Sequence, residues 1–214
     1  MPKLYPVHLI LTGRLCLVVG GGIIGARKAL GLLAAGARVR VVSLDFCDGL
    51  RSCSHELELI EAAYCSEHMD DVFLAVAATD SRQVNAAVVS DARDRRIPVN
   101  CADNQQDGDF IVPASIRRGD LCISVSTGSA SPGLSMRIKH DLEAQFGDEF
   151  ADYVKILGEI RELLKAARKT EQSPVDSAMA ALLDSQESLL SLLRSDGYLA
   201  ARHAALQLIE RLPE

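Results

Sequence analysis

The stretch Leu15-Cys16-Leu17-Val18-Val19-Gly20-Gly21-Gly22-Ile23-Ile24-Gly25 decides the fold. Leu15 to Val19 is an unbroken apolar run, the pattern of a strand buried on both faces of a parallel sheet. Gly20, Gly22 and Gly25 give the spacing G-x-G-x-x-G, and Ala26 to Leu33 follows with good helix formers. Glycines at the turn from a buried strand into a helix point to a dinucleotide site. Gly20 permits the tight turn, Gly22 lets backbone approach a pyrophosphate, and Gly25 lets the helix pack closely on the strand. The helix N-terminus then offers unpaired N–H groups and a partial positive charge to the phosphates. The plainer alternative is a glycine-rich turn that holds no ligand.

Downstream, Gly36 ends the helix as a C′ glycine, and Val39 to Val42 forms a second strand that runs into Ser43-Leu44-Asp45. Leu44 and Asp45 fall at the strand's carboxyl end, where the adenosine half of a dinucleotide rests. An acid there accepts hydrogen bonds from the ribose hydroxyls and repels a 2′-phosphate, so Asp45 favours NAD over NADP, with no arginine clamp expected for such a phosphate. A turn or cap aspartate is the competing reading. Phe46 to His55 reads as irregular or weakly helical, Leu57 to Ala62 as a short edge strand, and Glu67 to Asp71 as a polar turn or short helix. Val72 to Ala78 is another buried strand, followed by Thr79-Asp80-Ser81. Thr79 is placed to line the cofactor crevice, while Asp80 or Ser81 equally suits a helix N-cap. A helix over Arg82 to Arg95 and a short strand at Ile97–Asn100 complete this half.

The pattern then changes. Asn104 to Asp109 is a polar loop, Phe110 to Ile116 is β-prone, Arg117 to Asp120 is a turn, and Leu121 to Ser126 alternates like an antiparallel strand. Pro132 suits the first turn of a helix that runs to Gln145. From Asp148 onward, apolar residues recur at helical spacing, with a polar break at Lys165–Ser173 and a last helix from Tyr198 to Leu212.

The chain has 214 residues, 48% hydrophobic and 24% charged, which suffices for a buried core in one or two domains. Trp is absent and aromatics make up 4%, so the core must be aliphatic. No apolar run reaches membrane-spanning length, and the N-terminus lacks signal-peptide shape, so the expectation is a cytoplasmic protein. A net charge of −6 argues against nonspecific nucleic-acid binding. The six cysteines, Cys16, Cys47, Cys53, Cys65, Cys101 and Cys122, contain no C-x-x-C pair. They read as free thiols, with no zinc site, and Cys16, Cys101 and Cys122 read as small buried hydrophobes.

Taken in order, several motifs resemble the precorrin-2 dehydrogenase and sirohydrochlorin ferrochelatase family, the amino-terminal module of siroheme synthase. They are Gly13-Arg14 with Val18 to Gly22; Arg27-Lys28; Ala77-Ala78-Thr79-Asp80 with Val84-Asn85; Val99-Asn100 with Asp103; Asp109-Phe110 with Pro113-Ala114; and Ser126-Thr127-Gly128 with Ser131-Pro132. The resemblance covers Leu4 to Phe146. It implies a Rossmann-type doubly wound parallel sheet over residues 1–113, a small α+β dimerisation domain of hairpin and helix over 114–147, and an α-helical domain over 148–214. It further implies NAD-dependent oxidation of precorrin-2 to sirohydrochlorin by an interlocked homodimer. The second possibility is an enzyme that also inserts iron or cobalt, and a third is a non-catalytic module that senses NAD. At this length the chain is expected to lack a fused methyltransferase domain.

The family's catalytic aspartate falls on Asp103. That position follows the last parallel strand, where a carboxylate beside the nicotinamide can take a proton; a loop aspartate that caps a turn is the alternative. Family positions for dinucleotide contact fall on Ile23, Ile24, Leu44 and Asp45, with Ile23 limited to its backbone N–H. Thr127 stands where some members carry a serine, so its hydroxyl either faces the tetrapyrrole or satisfies a turn. The polycarboxylate substrate needs cationic partners, for which Arg117, Arg118, Arg137, Lys139 and His140 are candidates, with Arg117 and Arg137 preferred. No His pair or carboxylate cluster reads as a metal site. The loop Asn104–Gly108 departs from the family in lacking the usual Pro-Glu.

Overall fold

In the computed structural model, which describes residues 3–166 and 173–210, the apolar run at Leu15–Val19 is strand β1. Its side chains alternate between two cores. Cys16 and Val18 face one cluster with Ala26 and Ala29; Leu15, Leu17 and Val19 face another with Val88, Val89 and Ala92. Burial on both faces is why the run is unbroken rather than alternating. The chain continues through α1 (Ile23–Ala34), β2 (Arg38–Ser43), the one-turn α2 (Asp48–Arg51), β3 (Glu58–Glu61), β4 (Leu74–Ala77), α3 (Arg82–Asp94) and β5 (Val99–Cys101).

The five strands are all parallel in the order β3-β2-β1-β4-β5. The helix α1 covers one face through Ala26 and Ala29, and α3 covers the other through Val88, Val89 and Ala92. This is the doubly wound Rossmann arrangement. Its strand order reverses direction at β1, and sheets of this topology take ligands at the carboxyl ends of the strands beside such a reversal, here β1 and β4.

Some boundaries differ from the sequence expectation for simple reasons. The last parallel strand begins at Val99 because Pro98 has no N–H for the ladder; only its carbonyl takes part, accepting from Ala75 N at 2.9 Å. The segment Ser66–Met69 is a single 3₁₀ turn. Ser81, and not Asp80, caps α3, its Oγ accepting from Val84 N.

The chain divides into two compact units, one over Tyr5–Val112 and the other made of residues up to Leu4 together with those from Pro113 onward. In the second, β6 (Ala114–Arg118) and β7 (Leu121–Val125) form an antiparallel hairpin, followed by α4 (Pro132–Gln145), α5 (Glu149–Ala166), α6 (Ser173–Asp184), α7 (Gln186–Ser195) and α8 (Gly197–Glu210). The strand β6 extends through Arg117 and Arg118, which had read as a turn. A two-stranded hairpin leaves room for charged side chains, and the actual turn is Gly119, at φ +55°, with Asp120. The helical core gathers Phe150, Tyr153, Ile156, Ile160, Leu182, Leu189 and Ala201, with Leu121 and Phe146 packed against it. Most of the polar break expected at Lys165–Ser173, and the end of the last helix at Leu212, lie outside the described residues. All six cysteines are free.

Candidate active site

The glycine loop is shaped by contact. Gly20 has φ +123°, and a Cβ there would collide with the carbonyl of Ala78 at the end of β4. A Cβ on Gly25 would collide with the carbonyl oxygen of Gly20, so α1 rests directly on the turn. Gly22 is the opposite case, with nothing within 4 Å of where its Cβ would project. That open space lies at the N-cap of α1, which has no side-chain cap and no acid in its first turn. The helices α3 and α4, by contrast, are capped by Ser81 and Ser131. An uncapped helix N-terminus with an open approach fits a pyrophosphate. Ile23 and Ile24 begin this helix with exposed side chains, 84% and 47% accessible.

Across the sheet edge, Leu44 is exposed and Asp45 follows β2. The Asp45 Oδ1 accepts from Phe46 N (2.7 Å) and from Arg51 Nη2 (2.6 Å). The Phe46 N–H first, and then Arg51, hold its carboxyl below the usual aspartate range. The expectation that no arginine stands near this acid is therefore corrected: α2 folds the irregular-looking segment back and brings Arg51 onto Asp45.

Thr79 lies at the carboxyl end of β4, where its conformation is fixed by Asn85 of α3. Asn85 Oδ1 accepts from Thr79 N (3.1 Å) and Thr79 Oγ1 (2.8 Å), while its Nδ2 donates to Thr79 O (2.9 Å). Asn85 is only 1% exposed. Sequence reasoning noted it within a motif and missed this role.

Asp103 follows β5 by two residues, after Ala102 donates to Ala77 O. Its carboxylate is exposed, and Oδ1 accepts from the buried Cys101 thiol at 2.9 Å. That bond is the main cause holding the Asp103 carboxyl below the ordinary aspartate range. Burial first, and then Asp103, push the Cys101 thiol up, so it remains a protonated donor. Nothing in the sequence marked Cys101 as more than a small apolar filler. The Asp109 and Phe110 motif is structural: Asp109 N donates to Val99 O, Asp109 Oδ2 accepts from Val99 N, and Phe110 O accepts from Asn100 Nδ2. In the loop that lacks Pro-Glu, Asn104 takes over the ordering, accepting from Gln106 N and donating to Asp107.

The remaining candidates belong to the second unit. Thr127 Oγ1 donates to Ser131 O and accepts from Ser131 N at 3.0 and 3.1 Å, and it lies 3.2 Å from Ser135 Oγ. Its hydroxyl is thus engaged in the turn that starts α4. Arg118 is also engaged, donating to Phe146 O and pairing with Asp148; Lys139 pairs with Glu143 at 3.6 Å, and His140 Nδ1 lies 4.0 Å from Glu143 Oε2. Arg117 on β6 and Arg137 on α4 are exposed and have no ion-pair partner among the described residues. Among those residues, no group of three or more His, Cys, Asp or Glu side chains is placed to hold a metal ion.

Residues 7–114 match a family described as "Putative NAD(P)-binding". The siroheme synthase of Photorhabdus laumondii is 40% identical over 162 residues, covering 75% of this chain and 34% of that protein. The siroheme synthase of Chromobacterium violaceum is 39% identical over 165 residues, covering 72% and 35%. The chain thus spans about a third of the length of these curated relatives. Over 98% of this chain and 100% of the other, the structure is similar to that of SirC, a precorrin-2 dehydrogenase, with a TM-score of 0.67 and 31% identity. The chain belongs to the precorrin-2 dehydrogenase family. Within that family frame, the glycine loop, Thr79 and Asp103 occupy one carboxyl edge of one sheet, and Arg117, Arg137 and Thr127 belong to the hairpin and helix that follow.

Proposed function

We propose that this chain oxidises precorrin-2 to sirohydrochlorin, with NAD⁺ as the hydride acceptor. One juxtaposition supports this reading above the others: the uncapped, open N-terminus of α1 and the ionised, exposed Asp103 share the carboxyl edge of the parallel sheet. When bound, NAD⁺ supplies the site that receives the hydride. The N–H groups of Gly22, Ile23 and Ile24 hold the pyrophosphate, and Asp45 Oδ2 receives the adenosine ribose. Asn85 holds Thr79 in place along the crevice. Asp103 takes the proton that leaves as the second C–H bond breaks, a task its low affinity for protons leaves it free to begin at neutral pH. Arg117 and Arg137, without competing ion pairs among the described residues, receive substrate carboxylates. The active form is a cytoplasmic homodimer, whose mass in solution at micromolar concentration is twice that of the chain; a monomer contradicts that assembly.

The test is anaerobic incubation with precorrin-2 and NAD⁺, followed by absorption. Appearance of the sirohydrochlorin spectrum in step with NADH is the expected result. NAD⁺ binding without any oxidation contradicts the proposal and favours a sensing module.

A further inference from the structure

Arg51 has no place in the oxidation chemistry, yet it stands at the position that reads the adenosine ribose. Its guanidinium is held from two directions. The Nε donates to Phe46 O at 3.0 Å, and Nη2 donates to Asp45 Oδ1 at 2.6 Å. Its Cζ lies 5.9 Å from the centroid of the Phe46 ring. Phe46 is buried at 6% accessibility, so the ring and its carbonyl form a firm seat for a side chain that is itself half exposed. Both bonds to the Asp45 carboxylate, from Arg51 and from Phe46 N, fall on Oδ1. Oδ2 and the Arg51 Nη1 have no protein partner among the described residues.

This arrangement differs from a lone acid at the end of the second strand. A lone carboxylate accepts ribose hydroxyls and repels a 2′-phosphate. Here the carboxylate is matched by a cation in direct contact, so the repulsion largely cancels within a few ångströms. The guanidinium also keeps free donors suited to a phosphate, and Oδ2 remains free for a ribose hydroxyl.

We infer that Arg51 is a specificity-determining residue that admits a 2′-phosphorylated dinucleotide, NADP⁺, to the site beside NAD⁺; the choice between them rests on the Asp45–Arg51 pair and not on Asp45 alone. The inference rests on the glycine loop being a dinucleotide site.

Calorimetric titration of the full chain with NAD⁺ and with NADP⁺ tests it without any turnover. In the wild type the two dissociation constants should lie within tenfold of each other. Arg51→Gln should weaken NADP⁺ by at least tenfold more than it weakens NAD⁺, because Asp45 is then left unbalanced. Arg51→Lys, which keeps the charge but not the fork, should fall between. Asp45→Asn should shift preference toward NADP⁺. A wild-type preference for NAD⁺ above tenfold overturns the inference while leaving the dinucleotide reading intact, as does an Arg51→Gln variant that weakens both nucleotides alike. Failure to bind either nucleotide overturns both.

Discussion

Asn85→Ala is the substitution whose effect follows most directly from the geometry. The amide makes three hydrogen bonds to one residue, at 3.1, 2.8 and 2.9 Å, and is 1% exposed. A net hydrogen bond contributes about 1 kcal/mol, so losing this set costs about 3 kcal/mol. Alanine is the better helix former in α3 and returns up to about 0.7 kcal/mol. Thr79 is half-buried, so water re-satisfies part of what it loses. The expected loss is therefore about 2–3 kcal/mol, or a roughly 30- to 150-fold rise in the opening that permits amide exchange. Hydrogen–deuterium exchange read by mass spectrometry separates the regions. Peptides covering β1, β4 and α3 should lose protection, while those covering α5, α7 and α8 should not. NAD⁺ affinity should fall as well, since Thr79 no longer holds its place. Asn85→Asp should do no better: it retains an acceptor but loses the donor to Thr79 O and buries a charge. A change in protection under about threefold in β4 and α3 would refute the idea that Asn85 organises this loop. Equal deprotection of the helical unit would point to general destabilisation instead.

Two further outcomes follow from the same edge of the sheet. Cys101→Val removes the thiol donor and should raise the Asp103 carboxyl; because the base works only when ionised, the acid limb of kcat/KM should move to higher pH, whereas Cys101→Ser should restore it, and an unmoved limb in Cys101→Val contradicts the positioning role. Gly22→Val should leave the fold intact and abolish NAD⁺ binding, because its side chain enters only open space, whereas Gly25→Ala should unfold the first unit by driving into the Gly20 carbonyl; circular dichroism and calorimetry distinguish the two, and equal behaviour refutes the division of roles.

The parallel sheet was legible wherever burial on both faces leaves an unbroken apolar run, as at Leu15–Val19 and Val72–Ala78. The glycine loop was legible because three positions carry three different steric demands. Legibility failed where a contact joins residues that no local pattern connects. Arg51 reaches Asp45 only because a four-residue helix turns the chain back, and that segment carries no periodicity. Cys101 has the composition of a core residue and the geometry of a donor. Asn85 lies on the buried side of α3, where a polar residue makes sense only once Thr79 is placed beside it. Among the basic candidates, the sequence could not separate Arg118, tied to Phe146 and Asp148, from Arg117, which is exposed and has no ion-pair partner among the described residues.

Asp103 as proton acceptor and the glycine loop as the seat of the cofactor are separate residues whose roles one measurement can separate. That measurement is anaerobic turnover of precorrin-2 with NAD⁺ by Asp103→Asn, set beside the wild type, with NAD⁺ affinity measured on the same samples. In the variant, turnover should fall by roughly two to four orders of magnitude while NAD⁺ affinity stays unchanged. Near-normal turnover by the variant would contradict the proton-accepting role and leave Asp103 as a loop residue bonded to Cys101.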